Sequence, residues 1–304
     1  MITNVYDRKV KDILSGIYNN LERNDIQDIA MLKKGMTNRS YIYLCNGNKY
    51  ILRVPGEGTV CLIDRHKEYE CYEAVRDKGL CDNPIYINAE TGYKITRYID
   101  NARTCNPYDK SDIQACFTLL KCFHNMKLKV EHFFDIYGNI EFYQSLWGDN
   151  ISMFNDYETT KRNVYSLKSY IDDNCGEYAL THIDAVPDNF LMYKDVNGER
   201  HIQLTDWEYA GMQDPHVDIA MFCIYNVHDK TQIDDLIDLY FEGDCGDRIR
   251  AKIYCYISAC GLLWSNWCEY KRQCGVEFGE YALSQYRYAK EFYRYAINLI
   301  NNID

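Results

Sequence analysis

The alternation of apolar and polar residues in "SYIYLC" and "YILRVP" predicts two strands, and the intervening "NGNK" predicts the hairpin that joins them. Asn46-Gly47 is the informative pair, because a tight hairpin needs positive φ at both central positions and these residue types adopt it at least cost. After "GEGTV" the spacing turns helical. Asp64 to Lys78 reads as a helix capped by Asp64, closed by Gly79 and presenting Tyr69, Tyr72 and Val75 on one face. "YKITRYID", Tyr93 to Asp100, is a further strand, and the turn-rich "NARTCNPYDKS" reads as the passage from one lobe to the next. From Ser111 helical periodicity dominates, as in "SDIQACFTLLKCFHNMKL", broken by the strand-like "NFLMYK" and "RHIQLTDW" around the turn "DVNGE". "TQIDDLIDLYFEG", "RIRAKIYCYISACGLLWSNWCEYKR" and "YALSQYRYAKEFYRYAINLI" continue as helix, and no repeat or low-complexity tract appears. The pattern predicts an α+β chain: a small antiparallel-sheet lobe over residues 1–98 and a larger, mostly helical lobe over residues 99–304.

Composition narrows the partners. With 34 basic and 45 acidic residues the formal charge is −11, a field that repels phosphate backbones and anionic membranes and favours a cationic small molecule. Neither nucleic acid nor a membrane is an expected partner. The 29 Tyr supply many faces that are apolar in the middle and polar at the tip. The 14 Cys form no CxxC pair, and "MITNVYDRKVKDIL" holds no apolar signal region, so they read as reduced thiols of a cytoplasmic protein. Apolar runs such as "IAMFCIY" fall far short of the ~20 residues a membrane-spanning helix needs.

The stretch "THIDAVPDNFLMYKDVNGERHIQLTDWEYAG", Thr181 to Gly211, gathers His182, Asp184, Asn189, Asp206 and Glu208 among strand-forming residues. Phosphoryl transfer asks a protein for a base to orient a hydroxyl, oxygen ligands for Mg²⁺ and a cation on the phosphates. An H-x-D-x-x-x-x-N run, followed by a strand pair ending in a second Asp, supplies most of that set. A loop can aim Asp184 at a substrate while Asn189 and Asp206 offer hard oxygens to the metal. Taken alone, Asp and Asn in a loop are equally turn-formers. Likewise Arg53 and Glu68 read equally as a weak surface pair, and Trp264 with Trp267, three apart on one helix face, as core. A metalloenzyme using His182 or His201 is disfavoured, since no His or Cys pair has zinc-ligand spacing.

"HIDAVPDNFL", "LTDWEYAG" and "DPHVDIA" together resemble the choline/ethanolamine kinase family, relatives of aminoglycoside phosphotransferases with a bilobal protein-kinase-like fold. The resemblance runs from about Lys33 into the C-terminal helices; the first thirty residues carry no motif. It implies that Asp184 is the catalytic base, that Asn189 and Asp206 hold Mg²⁺, and that His182 is a structural brace. Asp206-Trp207-Glu208 stands where protein kinases have DFG, and Asp218 holds the catalytic loop. "KKGMTNRSYIYLC" is similar to the family's phosphate-covering hairpin, which brings Thr37 and Asn38 to ATP. Arg53 takes the place of the strand lysine with Glu68 as its partner, and Arg97, Tyr98 and Ile99 form the hinge whose backbone reads adenine.

For the acceptor, the resemblance implies a choline site. A quaternary ammonium offers no hydrogen-bond donor, so it needs aromatic faces and nearby negative charge. "WSNWCEYKRQCGVEFGEYALSQY" resembles the family's W-x-x-W segment and places Trp264, Trp267, Tyr281 and Tyr209 around the nitrogen. Animal choline kinases carry an acidic residue shortly after D-I-x, whereas this chain has Ile224 and Tyr225 there. Charge compensation then falls to Asp184, to Glu208 or to a group elsewhere in the chain. The expected activity is ATP- and Mg²⁺-dependent phosphorylation of choline, of the bacterial kind that supplies phosphocholine to surface polysaccharides. Ethanolamine, an aminoglycoside or thiamine are the alternative acceptors, and a nucleotide-binding module without catalysis is the alternative class.

Overall fold

The computed structural model describes residues 5–18, 25–35, 37–56, 59 and 61–303. They fall into two compact units: Met1–Arg103 with Met192–Glu208, and Thr104–Leu191 with Tyr209–Asp304. The sequence reading ends the small lobe at residue 98; the first unit runs on to Arg103 and takes in the segment Met192–Glu208 as well.

The first unit opens with helix α1 (Val5–Ile17) and strands β1 (Ile26–Lys34), β2 (Asn38–Cys45) and β3 (Asn48–Pro55). Helix α2 (Arg65–Val75), β4 (Tyr86–Ile87), β5 (Lys94–Arg97) and β6 (Arg103–Thr104) follow. The five-stranded sheet has the order β1-β2-β3-β5-β4, with every neighbouring pair antiparallel. The β2–β3 hairpin closes with Cys45 opposite Asn48. Asn46 at φ 50° and Gly47 at φ 76° make the turn between them, as the dipeptide predicts. Val10 and Leu14 of α1 pack on Ile26, Tyr43, Leu52 and Ile95, so the apolar face of one helix covers one face of the sheet.

Two details correct the sequence reading of α2. Asp64 caps it as expected, accepting from the backbone N–H of His66 and Lys67, but the helix stops at Val75 instead of continuing to Lys78. Asp77 at φ 58° and Gly79 at φ 71° turn the chain away there. The buried face is Glu68, Cys71, Tyr72 and Val75, and Tyr69 is exposed. The i, i+3, i+4, i+7 set therefore runs through a glutamate, which hydrophobic periodicity does not pick up.

The second unit is helical. Helices α3 (Lys110–Asn125), α4 (Ile136–Ser145), α5 (Tyr157–Ser166) and α6 (Lys168–Asn174) lead to strand β7 (Ala179–Thr181). After a 3-10 turn at Pro187–Asn189 come β8 (Phe190–Lys194) and β9 (Arg200–Leu204), of which β8 from Met192 onward and all of β9 belong to the first unit. The chain closes with β10 (Gly211–Gln213) and helices α7 (His216–Tyr225), α8 (Lys230–Phe241), α9 (Asp247–Gln273) and α10 (Glu280–Ile303). Strand β10 pairs antiparallel with β7. Helix α9 is buried on all sides from Ala251 to Glu269, with α4, α5, α6, α7 and α10 packed around it. Gly261 permits the closest of these approaches, since a Cβ there would lie 2.7 Å from the carbonyl oxygen of Gln285 and 2.8 Å from the nitrogen of Ala289. Among the described residues no helix is long and apolar enough to cross a membrane.

Candidate active site

In the second unit the chain leaves β7 at His182 and bends at once, because Ile183 takes φ 70°. A β-branched residue in the left-handed region costs on the order of 1–3 kcal/mol and persists only where the surroundings over-determine it. They do so here through Asp218, in the first turn of α7. Its Oδ2 accepts from the His182 N–H at 3.1 Å and its Oδ1 from the Ile183 N–H at 2.7 Å. Asp218 is fully buried, and His124 Nε2 lies 2.9 Å from its Oδ2. Asp218 is thus the brace expected of it, and its charge-assisted hydrogen bonds offset the strain of the bend.

The bend delivers Asp184, partly exposed, followed by the 3-10 turn that ends at Asn189. Asn189 Nδ2 donates to the Asp184 backbone oxygen at 2.8 Å and to its Oδ2 at 2.9 Å. The amide nitrogen, not the oxygen, therefore faces the carboxylate. His182 is fully buried, consistent with a structural position.

The first unit holds a cluster of charges. Arg53 on β3 and Glu68 on α2 form a two-pronged ion pair, and both are almost completely buried, so they are not the weak surface pair that sequence alone allowed. Burial by itself would raise the Glu68 carboxyl, but Arg53 and then Arg65 hold it down at about 2. Asp206 follows β9 with φ 67°, and its Oδ1 is 3.7 Å from Arg53 Nη1. Glu208 accepts from Thr37 Oγ1 at 2.5 Å and from Asn38 Nδ2 at 2.8 Å. Burial, with Asp206 and Glu68 nearby, pushes the Glu208 carboxyl up to about 7 and raises Asp206 too.

Sequence reasoning missed Arg65, which joins this cluster. Its Nη1 lies 2.7 Å from Glu68 Oε2 and 3.0 Å from Glu208 Oε2, while Nη2 donates to Asn38 Oδ1 at 2.9 Å. Its position three residues before Glu68 in the first helical turn was the available signal. Glu68, Asp206 and Glu208 bring oxygens within 4.8 Å of one another. Two guanidinium groups against three carboxylates leave a formal excess of one negative charge, which suits a hard divalent cation. Glu68 and Glu208 are already held by arginine and by Thr37 and Asn38. Asp206 Oδ1 is buried and finds no hydrogen-bond donor among the described residues, so it is the oxygen best placed to accept a metal.

Thr37 and Asn38 are indeed brought together, but onto Glu208, which is tied into the first unit. Of the three positions expected to form the hinge, Arg97 ends β5 and Tyr98 and Ile99 follow it. Arg97 pairs with Tyr50, Tyr98 donates its N–H to the Lys49 oxygen at 3.1 Å, and the Ile99 carbonyl accepts from Ala102 at 3.4 Å.

The aromatic positions, all in the second unit, form a connected row. Tyr209 meets Trp264 edge-on with centroids 5.2 Å apart, Trp264 meets Trp267 at 6.2 Å, and Phe278 lies 5.1 Å from Trp267. Phe278 in turn contacts Tyr281 at 6.5 Å, and Tyr281 contacts Tyr225 at 6.0 Å. Trp264 Nε1 donates to Met221 Sδ at 3.0 Å, whereas Trp267 Nε1 is buried with no acceptor among the described residues. Burial raises the Tyr281 hydroxyl well above its ordinary range, and Tyr225, at the end of the row, donates its hydroxyl to Asp188 Oδ2 at 3.0 Å, so the row runs beside the Asp184–Asn189 loop. Phe278 and Tyr225 were not expected in it. Phe278 sits in the α9–α10 connection, where no helical spacing points inward.

The chain resembles known proteins in sequence and in fold. A family model described as choline/ethanolamine kinase matches residues 29–234. The LicA protein of Haemophilus influenzae is 27% identical over 271 residues, covering 83% of this chain and 76% of its own. The crystal structure of choline kinase LicA from Streptococcus pneumoniae superposes with a TM-score of 0.81 at 26% identity, covering 96% of this chain and all 100% of the other. A structure of LicA in complex with AMP gives a TM-score of 0.78 at 26% identity over 96% of this chain and 99% of the other. With the sheet-rich first unit, the braced Asp184 loop and the family match over most of its length, the chain belongs to the choline/ethanolamine kinase family.

Proposed function

We propose that the protein transfers the γ-phosphoryl group of MgATP to the hydroxyl of choline, giving phosphocholine and ADP. The observation that carries the choice of acceptor is the row from Tyr209 through Trp264 and Trp267 to Tyr281 beside the Asp184 loop. A trimethylammonium group is held by ring faces and by a carboxylate at a distance, and this row supplies the faces. A primary ammonium, by contrast, gains most from direct hydrogen bonds to carboxylates.

Asp184 is the base: it accepts the hydroxyl proton as the oxygen attacks the γ-phosphorus and the bond to the β,γ-bridging oxygen breaks. Asn189 and Asp206 are the metal ligands, and bound Mg²⁺ would neutralise charge on the phosphates. Arg53, fixed by Glu68, offers its guanidinium to phosphate oxygens, and Thr37 and Asn38 lie in the turn that covers them. Arg97, Tyr98 and Ile99 provide the hinge for adenine. Glu208 acts through Thr37, Asn38 and Arg65, which leaves Asp184 as the charge compensating the choline cation.

Release of ADP from MgATP, measured side by side with choline, ethanolamine, thiamine and kanamycin at matched concentrations, tests this reading. A preference for choline is expected. Turnover with another amine alone would keep the kinase chemistry and discard the aromatic cage.

A further inference from the structure

Helix α7 grips the catalytic loop at both of its ends. Asp218 in its first turn holds the backbone of His182 and Ile183, and Tyr225, its last residue, donates its hydroxyl to Asp188 Oδ2 at 3.0 Å. Asp188 lies in the 3-10 turn between Asp184 and Asn189. It is exposed, whereas Tyr225 is half-buried with its ring edge-on to Tyr281, centroids 6.0 Å apart at 66°. Both hydroxyls also feel the charge of Asp184. One residue thus joins the aromatic row to the loop that carries the base.

A phenol that donates to a carboxylate gains electron density in its ring, and the attraction of a ring face for a cation grows with that density. In such an arrangement the carboxylate must act through the hydroxyl, with Oδ2 accepting from the phenol, and not as a direct hydrogen-bond acceptor for the substrate's nitrogen. A primary ammonium gains little from such a wall, while a quaternary one gains from a richer face. Resting on the choline reading above, we infer that Tyr225 and Asp188 act as one unit, a carboxylate-polarised wall of the acceptor site that favours a quaternary over a primary ammonium.

The test compares wild type with Tyr225→Phe, Asp188→Asn and the double variant, using choline and ethanolamine as acceptors and MgATP at saturation. Tyr225→Phe keeps the ring and removes the polarising bond; Asp188→Asn changes an exposed position and removes the charge. Each is expected to raise KM for choline about two- to five-fold with little change in kcat, and to raise KM for ethanolamine by a smaller factor. The double variant should be no worse than either single one. Choline-induced quenching of tryptophan fluorescence, which needs no turnover, should weaken by the same factor. An unchanged choline KM in both single variants, additive effects, or equal effects on the two amines would overturn the inference. Wild type itself reports on the underlying reading: if it phosphorylates choline while the variants match it, only the wall is lost, and if it ignores choline, both fail.

Discussion

Asp218 Oδ1 lies 2.7 Å from the backbone nitrogen of Ile183, a β-branched residue held at φ 70°. The pairing explains how a strained backbone can sit immediately before Asp184. Replacing Asp218 by Asn keeps the volume but removes the negative charge that both N–H groups and His124 face. Stability should fall by about 1.5–3 kcal/mol, the range for hydrogen bonds to a charged group. The turnover number should drop further than unfolding at assay temperature explains. Urea unfolding alongside kcat checks this, and an unchanged kcat in folded Asp218→Asn would detach the brace from catalysis.

On the proposed mechanism, Asp184→Ala removes the base, and it changes no residue of the first unit. Turnover is expected to fall by about 10²–10⁴, the usual contribution of a positioned general base. Affinity for MgATP, measured by calorimetry, should stay within a few-fold of wild type. A variant with near-normal turnover would exclude Asp184 from proton transfer.

Arg65 neutralises Glu68 and Glu208 together and orients Asn38. Arg65→Met strips that charge from a buried carboxylate cluster, where loss of one ion-pair partner costs about 3–5 kcal/mol. It should also raise KM for ATP, because the Thr37–Asn38 turn loses its anchor. Arg65→Lys should recover only part of either loss, since an ammonium cannot span three partners with a planar fork. Thermal melting and ATP titration of the two variants distinguish charge from geometry.

Burial lowers the His216 imidazole to about 4, against the pull of Asp214 and with the help of Lys252. Unfolded histidine titrates near 6.5, so between 6.5 and about 4 the unfolded chain binds a proton that the folded one refuses. This contribution is complete above pH 6.5 and is lost as pH falls toward 4, by up to about 3 kcal/mol. Urea midpoints recorded from pH 7 to 5 should decline in wild type and decline less in His216→Gln. Parallel slopes would assign the acid limb to other groups.

Gly261→Ala places a methyl 2.7 Å from one backbone atom of α10 and 2.8 Å from another. Alanine gains up to about 1 kcal/mol in helix propensity. Backbone atoms cannot rotate aside, however, and overpacking of about 1–3 kcal/mol should win. A lowered melting temperature is expected, and a raised one would mean that α9 and α10 can separate freely.

Much of the architecture was legible in sequence where a local rule acts without competition. Asn46-Gly47 fixed the hairpin through its positive φ, and the Asp64 cap marked the start of α2. Strand β1 went unread because its alternation is broken by register shifts between Gln27 and Ala30 and between Met31 and Lys33, with Asp28 at φ 51°. In the candidate site, Asp184, Asn189, Asp206, Arg53 and Glu68 stood in motifs and could be named, and the structure pairs Arg53 with Glu68 and Asn189 with Asp184. Arg65, Phe278 and Tyr225 act through partners distant in sequence, and single-chain spacing carries no information about such pairs.

Helix α9 is enclosed on every side from Ala251 to Glu269, including Lys252, whose ammonium meets Asp214 at 2.6 Å. A helix with one buried face tolerates replacement in stripes that recur every three to four positions. Here a survey of every single substitution would show an unbroken band of intolerance some five turns long, and homologues are expected to diverge along the surface helices well before they diverge along this one.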